Sequence, residues 1–140
     1  MIRTLAILQV STLALALSFL PAFAGGEAPS QKSVDSVVSE LKGDVVAARE
    51  GWTLIKQGAL LVDVRSAAEY EGGHIEGSLN IPHSEIEMLA EAIGLELDRA
   101  VVFYCRSGGR AGRAQEALEN LGYTGIFNAS GYDALVATQP

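Results

Sequence analysis

The sequence predicts a three-layer α/β/α domain in which a parallel sheet is covered on both faces by helices. Two short apolar segments, residues 59–64 and 101–104, are rich in Val, Leu and aromatic side chains, as buried strands are. Around them, apolar residues recur at helical spacing and the patterns stop at glycines. Strands that alternate with helices in this way indicate a parallel sheet with helices on its faces.

The first 24 residues have the pattern of a secretory signal peptide. Arg3 supplies the positive charge, residues 5–20 are apolar, and an Ala-Phe-Ala cleavage sequence ends at Ala24. We expect cleavage after Ala24 and a periplasmic or secreted protein that does not remain in the membrane. An uncleaved anchor is the alternative, because a membrane-spanning helix needs ~20 apolar residues and this stretch is only slightly shorter.

Residues 25–43 are expected to form a short flexible leader followed by an amphipathic helix, before a compact domain at residues 44–140. The helix is predicted from Val34, Val37, Val38 and Leu41, and it should end near Gly43. We expect it to pack as a cap on the domain; a partner-binding helix is the alternative.

A second helix is predicted across residues 45–57, with Gly58 as its stop. Ala48, Trp52 and Ile55 share one face, so Trp52 is interpreted as a core residue rather than a binding platform. The strand at residues 59–64 follows directly.

Immediately after that strand, Ser66 and Glu69 have the spacing of a capping box, which predicts a short helix ending at residues 72–73. Asp63 and Arg65 therefore lie at the carboxyl end of a strand. In open α/β sheets, ligands bind at this edge.

The remaining strands and helices are predicted from the same kinds of sequence pattern. A short strand is predicted at residues 79–82, and Ser84 and Glu87 have the spacing of a second capping box. The helix that follows should end at Gly94, and a last short strand is predicted at residues 126–128, before a final turn or helix from Gly131. The apolar face of the helix before Gly94 is predicted to consist of Ile86, Leu89, Ala90 and Ile93. The helix after Cys105 is predicted to end at Gly122, with an apolar face of Ala111, Ala114, Leu118 and Leu121.

The turn after residues 101–104 holds Cys105, which is the single cysteine. A turn from a strand to a helix N-terminus gathers unpaired N–H groups and favours an anion, and nearby arginines favour a thiolate. Gly108 and Gly109 allow loop N–H groups to converge, while Arg106, Arg110 and Arg113 bring positive charge. The pattern predicts a reactive Cys105; a buried, inert cysteine is the alternative.

Composition limits the function further. The 140 residues contain 10 Lys and Arg against 17 Asp and Glu, a formal net charge of −7. That surface argues against nucleic acid and anionic membranes as partners, and the length suits one domain, which we expect to be a monomer. One cysteine excludes an internal disulfide, and an unpaired thiol in an oxidising compartment indicates that it is used.

A metal site is not expected. His74 has no second His, Cys or carboxylate at the spacing of metal ligands, so we interpret it as a hydrogen-bonded structural residue. His83 is expected on the surface near the start of the following helix.

Two motifs resemble those of the rhodanese family of sulfurtransferases. The first is Cys-Arg-Ser-Gly-Gly-Arg at residues 105–110. The second begins with Asp-Val-Arg at residues 63–65 and continues through Glu69-Tyr70, Gly-His-Ile at 73–75, Gly77-Ser78 and Asn-Ile-Pro at 80–82. The likeness covers roughly residues 52–135, and the size and export signal are similar to those of small exported rhodaneses of the phage-shock-protein type.

The resemblance implies a sheet of about five strands and a thiosulfate sulfurtransferase that needs no cofactor. Cys105 would take sulfur from a small anionic donor as a covalent persulfide and pass it to a thiol or to cyanide. The loop residues Ser107, Gly108 and Gly109 would surround the sulfur, with Arg106 and especially Arg110 holding the donor. Asp63, Arg65 and Glu69 would organise the fold around the loop.

Other functions stay open. A cysteine-loop phosphatase or arsenate reductase shares the broad fold, but phosphatase loops place Arg six positions after the cysteine, whereas Arg110 is five positions after Cys105. A sulfur carrier or binding module that does not turn over small donors is a second alternative. Many relatives have Gly-Gly and a bulky residue where this chain has Ala-Ser-Gly-Tyr at 129–132, a region that can border the pocket.

Overall fold

The computed structural model describes residues 33–140, so the predicted signal peptide and the leader at residues 25–30 lie outside the described part. Helices and strands alternate as predicted. In chain order they are α1 (Val34–Lys56), β1 (Leu60–Asp63), α2 (Ala67–Glu71), β2 (Leu79–Asn80), α3 (Ile86–Ile93), β3 (Val101–Cys105), α4 (Gly109–Glu119), β4 (Ile126–Gly131) and α5 (Tyr132–Thr138).

The sheet is parallel throughout, with strand order β2-β1-β3-β4. The α/β prediction is therefore confirmed, but within residues 33–140 the sheet has four strands and not about five. The described residues 34–56 before β1 are helical, so this stretch adds no strand to the sheet. Strand β3 is central and every one of its residues is buried.

Side chains alternate between the two faces of the sheet and form a separate core on each. On one face, Val62 and Phe103 pack with residues of α3 and α4, including Leu89 and Leu118. On the other face, Tyr104 and its neighbours pack with residues of α1 and α5. These two cores give the predicted three-layer arrangement.

Helix α1 is continuous where two helices were predicted, so the expected stop at Gly43 is wrong. A glycine that ends a helix usually adopts positive φ, and Gly43 does not, whereas Gly58, just beyond the helix, has φ of 98°. A glycine inside a helix costs about 1 kcal/mol relative to alanine, which packing elsewhere along α1 can offset. The predicted boundary between residues 43 and 44 therefore falls within one helix.

The N-terminal turns of α1 do not form the predicted cap. Val34, Val37, Val38 and Leu41 are between 40% and 78% exposed. The helix contacts the sheet from Asp44 onward, and a Cβ on Gly51 would lie 2.7 Å from the Cβ of Ala129. Absence of a side chain at this position lets the helix approach the sheet closely.

The second half of α1 confirms the predicted face of Ala48, Trp52 and Ile55. Ala48 is fully buried, and the other two pack against the same core. The indole Nε1 of Trp52 also donates a hydrogen bond to the carbonyl oxygen of Leu135, at 2.9 Å, which joins α1 to α5.

One of the two predicted capping boxes is present. Ser66 Oγ accepts a hydrogen bond from the Glu69 N–H, and the Glu69 carboxylate accepts one from the Ser66 N–H. The prediction of a capping box at Ser84 is wrong, because α3 begins one residue later than predicted. Its N-cap is Glu85, which makes no side-chain capping hydrogen bond. Its end at Gly94 is confirmed.

The C-terminal elements differ in detail from prediction. Helix α4 ends at Glu119, so Leu121 lies beyond it and is 58% exposed instead of sharing the buried face. Strand β4 extends to Gly131, and α5 confirms the predicted final helix. Within residues 33–140, none of the helices is long and apolar enough to cross a membrane.

Candidate active site

Cys105 is the last residue of β3 and is 1% exposed. It pairs with Gly131 of β4 after a shift in strand register. Residues 106–108 form a short loop, and α4 begins directly after it at Gly109. The predicted strand-to-helix placement of the cysteine is confirmed.

The loop turns into α4 through Gly108, whose φ of 83° lies in the left-handed region that favours glycine. The N–H of Gly112 donates to the carbonyl of Gly108 at 2.8 Å. The N–H groups of Gly109, Arg110 and Ala111 precede this first helical bond, so the helix itself supplies no acceptor for them. Together with the helix dipole, they make the turn after Cys105 favourable for negative charge.

Residues of strand β4 contact the backbone of the cysteine loop. The side-chain amide of Asn128 donates to the carbonyl oxygen of Gly108 at 3.0 Å. A Cβ at Gly131 would lie 2.6 Å from the carbonyl oxygen of Arg106. The loop therefore rests directly on the backbone of β4, and a glycine at position 131 permits that contact.

Arg110 is held by Glu69 in a bidentate ion pair with two hydrogen bonds of 2.7 Å. The hydrogen bond from Arg110 holds the pKa of the Glu69 carboxyl well below its usual range. The pKa of Arg110 is raised, first by Glu69 and to a smaller extent by its interaction with Cys105. Arg110 thus interacts with the Glu69 carboxylate and more weakly with Cys105, and its ion pair ties α2 to the start of α4.

Asp63 and Arg65 form a buried ion pair, 0% and 6% exposed. The Arg65 guanidinium donates to both Asp63 oxygens and also to the carbonyl of Gly73, at 2.7 Å. Its carbon lies 4.5 Å from the centre of the Tyr132 ring, a cation–π distance. The hydrogen bond with Asp63 raises the pKa of Arg65.

A cleft of about 300 Å³ opens beside the loop. Arg106 is exposed in this cleft and forms no ion pair with any other residue in the described part of the chain. The lining of the cleft brings together three residues with predicted roles, which are Arg65, Glu69 and Arg106. The other lining residues belong to α2, the turn after it and α5: Ala68, Gly72, Gly73, Tyr132 and Asp133.

The sequence did not predict roles for Gly73, Tyr132 or Asp133 in the site. Tyr132 belongs to the Ala-Ser-Gly-Tyr segment that departs from the family pattern, and this departure was the available signal. Ser107 does not line this cleft but a second one, of about 360 Å³, which also includes Arg106 and extends along Leu41 and Ala134.

His74 has the structural role that was predicted for it. Its Nδ1 lies 3.0 Å from the carbonyl oxygen of Tyr70, and the two rings stack with centres 3.8 Å apart. Across residues 33–140 no group of three or more His, Cys, Asp or Glu residues is arranged to hold a metal ion.

A parallel α/β/α fold with a five-residue spacing between the loop cysteine and its arginine, Cys105 and Arg110, is the arrangement of the rhodanese class. The family model of the rhodanese-like domain matches residues 47–137 of the sequence, and the chain belongs to this family. It is 39% identical over 71 residues to the thiosulfate sulfurtransferase PspE of Escherichia coli, covering 50% of this chain and 67% of that protein.

Two further comparisons agree with the family. A Bacillus subtilis protein named YqhL is 42% identical over 73 residues, and the match covers 52% of this chain but only 56% of that relative. The solved structure of a human single-domain sulfurtransferase has a TM-score of 0.54 at 34% identity, with coverage of 65% of this chain and 93% of that one. The fold and the family are thus shared with sulfurtransferases.

Proposed function

We propose that this protein is a thiosulfate sulfurtransferase that carries sulfur as a persulfide on Cys105. The observation that carries the proposal is the position of the single cysteine between the end of β3 and the N-terminus of α4, beside Arg110 and the exposed Arg106. The name of the E. coli relative supports thiosulfate as the donor.

In the first half-reaction, the Cys105 thiolate attacks the outer sulfur of thiosulfate. A bond forms between the two sulfurs as the original S–S bond breaks, and sulfite leaves with the electron pair of that bond. Because Cys105 is only 1% exposed, the transferred sulfur must reach it through a narrow opening, which favours a small donor.

Positive groups stabilise the negative charge that moves during this step. The first N–H groups of α4 lie at the turn where the terminal sulfur of the persulfide forms, and fixed donors of this kind lower the barrier to charge movement. Arg106 is exposed in the cleft, so its guanidinium is free to bind the sulfonate end of thiosulfate. Arg110 is already paired with Glu69, so it contributes positive charge near Cys105 without being free to move to the donor.

In the second half-reaction, a nucleophilic acceptor attacks the terminal sulfur of the persulfide. Cyanide would leave as thiocyanate, and a thiolate would leave as a persulfide; in both cases the Cys105 thiolate is restored with the electron pair of the broken S–S bond. No resident cofactor takes part in this scheme, because the cysteine itself carries the sulfur.

A phosphatase is a poorer fit to the geometry. The loop places Arg110 five positions after Cys105, one fewer than the phosphatase loop. Its guanidinium also makes both of its short hydrogen bonds with Glu69, so it is not directed at an empty cradle for a tetrahedral anion. The carrier alternative requires the same persulfide without turnover of small donors.

Intact-mass spectrometry with and without thiosulfate tests the proposal, with Cys105→Ser as the control. A gain of about one sulfur mass on the native protein alone is expected. Release of that sulfur by cyanide, with repeated turnover, supports an enzyme; loading without turnover supports the carrier. A free, reactive thiol that gains no sulfur would contradict both.

The variant Arg106→Ala tests whether Arg106 binds the donor in the cleft, separately from any effect on the stability of the fold. The KM for thiosulfate should rise by about 10-fold, as expected for loss of one charged contact, while the melting temperature stays near that of the native protein. Arg113→Ala is the matched control, because Arg113 is exposed on α4 and does not line either cleft beside the loop. An unchanged KM in Arg106→Ala would remove Arg106 from donor binding.

We also propose that the protein is exported and acts as a monomer after cleavage behind Ala24. The N-terminal sequence pattern is the support for export. Mass measurement of the N-terminus after expression in a bacterium, with fractionation of the periplasm, tests it. A chain that keeps residues 1–24 in the membrane fraction would instead indicate an anchor, and sedimentation of the mature protein would give its oligomeric state.

A further inference from the structure

Ser130 has a backbone conformation that serine rarely adopts. Its φ is 70°, and it is the one residue other than glycine with positive φ within residues 33–140. Such a conformation is strained for a residue with a Cβ, and it persists where surrounding contacts impose it. The contacts of this side chain therefore bear on what the strained position does.

The hydroxyl of Ser130 donates a hydrogen bond of 2.5 Å to the carboxylate of Asp44. The two residues are separated by 86 positions in the sequence, and Asp44 lies on α1, just before the rhodanese-like match begins at residue 47. Ser130 is 7% exposed and Asp44 is half-buried, so this bond is partly withdrawn from solvent. It links α1 to the end of β4.

From Ser130 the contacts continue into the cysteine loop. The Ser130 N–H donates to Oδ1 of Asn128 at 2.9 Å, and Nδ2 of the same amide donates to the carbonyl of Gly108 at 3.0 Å. A Cβ at Gly108 would lie 3.3 Å from the Cα of Ser130, so the two backbones are in close contact. An unbroken series of contacts thus runs from Asp44 to the loop that presents Cys105.

We propose that Asp44 and Ser130 are positioning residues for the cysteine loop, acting through Asn128 and Gly108. The hydrogen bond to Asp44 fixes Ser130 in its left-handed conformation. That conformation aims the Ser130 N–H at the Asn128 amide and so orients the amide that holds the loop carbonyl. The inference rests on the proposed function of Cys105, and it makes α1, at a position preceding the family match, part of the active-site machinery.

The test measures the rate at which iodoacetamide alkylates Cys105. This reaction needs no sulfur donor, so it reports on the geometry of the loop even if the proposed sulfur transfer is wrong. Asp44→Ala should change the alkylation rate at neutral pH by about 10-fold, less than the roughly 100-fold that a 1 Å misplacement can cause. The pH at which alkylation reaches half its maximum should also shift. Glu50→Ala is the matched control, an exposed acidic residue on the same helix.

Ser130→Gly distinguishes positioning from stability. Glycine adopts positive φ without strain, so the variant should keep its melting temperature while it loses the bond to Asp44. We expect the alkylation change seen in Asp44→Ala, a partial rescue in Asp44→Asn because its amide oxygen still accepts, and a double variant no worse than either single one. Native alkylation in both single variants, or effects that add in the double variant, would overturn the proposal.

The sulfur-transfer assay is then interpreted separately. Loss of kcat with unchanged KM in Asp44→Ala is the expected result for a misplaced nucleophile in a cleft that still binds the donor. If the native protein transfers no sulfur while the alkylation changes are present, the proposed function fails and the positioning role stands.

Discussion

The guanidinium of Arg110 and the carboxylate of Glu69 form two hydrogen bonds of 2.7 Å although they are 41 positions apart in the sequence. Glu69 is also the second member of the capping box at the start of α2. The same carboxylate therefore begins a helix and orients the arginine that closes the cysteine loop. The stability of α2 and the geometry of the loop are linked through this one side chain.

Replacing Glu69 by Gln should make the free energy of unfolding less dependent on pH in the acidic range. Arg110 holds the Glu69 pKa far below its ordinary value of 4.5, so the stabilisation is present above that value and is lost as the pH falls toward the lowered pKa. At neutral pH the variant should be less stable by about 1 kcal/mol, since the pair is partly exposed to solvent. Urea unfolding at several pH values measures this.

The native protein and the Glu69→Gln variant should converge in stability on acidification below the ordinary carboxylate pKa. Glu50→Gln is the control, because Glu50 is exposed on α1. A difference between native and variant that stays constant down to low pH would show that the ion pair does not stabilise the fold.

Arg110→Ala should impair use of the anionic donor more than it impairs folding. Removal of a cation beside the reacting sulfur is expected to lower kcat/KM for thiosulfate by about 100-fold. The free energy of unfolding should fall only by about 1 kcal/mol, as for other partly exposed ion pairs. Steady-state kinetics and urea unfolding of the same sample test both, and a comparable loss of folded protein would reject a functional role for Arg110.

Tyr104→Phe should destabilise the core on the α1 side of the sheet. The Tyr104 hydroxyl accepts from the Ile75 N–H at 3.0 Å and lies 3.1 Å from Ser78 Oγ, whose own proton goes to the carbonyl of Ile75. Tyr104 therefore donates to Ser78. Loss of these bonds leaves a buried N–H unpaired, which costs about 1 to 3 kcal/mol.

The same hydroxyl gives the protein an alkaline limit. Burial raises the pKa of Tyr104 to about 12 from an ordinary 10.0. Its contribution to stability is complete below pH 10 and declines between pH 10 and 12, because there only the unfolded tyrosine ionises. Thermal unfolding across this window should show a steeper decline for the native protein than for Tyr104→Phe, and parallel curves would contradict the assignment.

Two glycines give opposite predictions for the same substitution. A Cβ at Gly125 would overlap the carbonyl oxygen of Arg99, so Gly125→Ala must displace backbone and should cost more than about 2 kcal/mol. Gly43 lies in the helix α1 with nothing within 4 Å of its Cβ position, so Gly43→Ala should stabilise by about 0.5 to 1 kcal/mol. Melting temperatures that move in the same direction in the two variants would contradict this packing.

The sequence allowed correct prediction of features that depend on neighbouring residues. The cap formed by Ser66 and Glu69, the buried strand before Cys105 and the stop of α1 at Gly58 each involve residues within a few positions of one another. The family motifs placed the cysteine loop, because they fix its length and its strand-to-helix context.

Predictions that depended on distant packing failed or could not be made. The local pattern around Gly43 predicts a helix stop, but α1 continues past Gly43 because its later turns pack on the sheet. The pairing of Glu69 with Arg110, and of Asp44 with Ser130, joins residues 41 and 86 positions apart. No local spacing distinguishes such pairs from other combinations of charged and polar residues.

The bond between Trp52 and Leu135 has a practical consequence. Trp52 is the single tryptophan of the sequence, as Cys105 is its single cysteine, and they report on opposite faces of the sheet. Indole fluorescence would follow the contact of α1 with α5, while a thiol reagent would follow the loop. The native chain thus carries one probe on each face of the sheet. During unfolding, the loosening of the layer formed by α1 and α5 can be timed against that of the layer formed by α3 and α4, without a label on the Trp52 face.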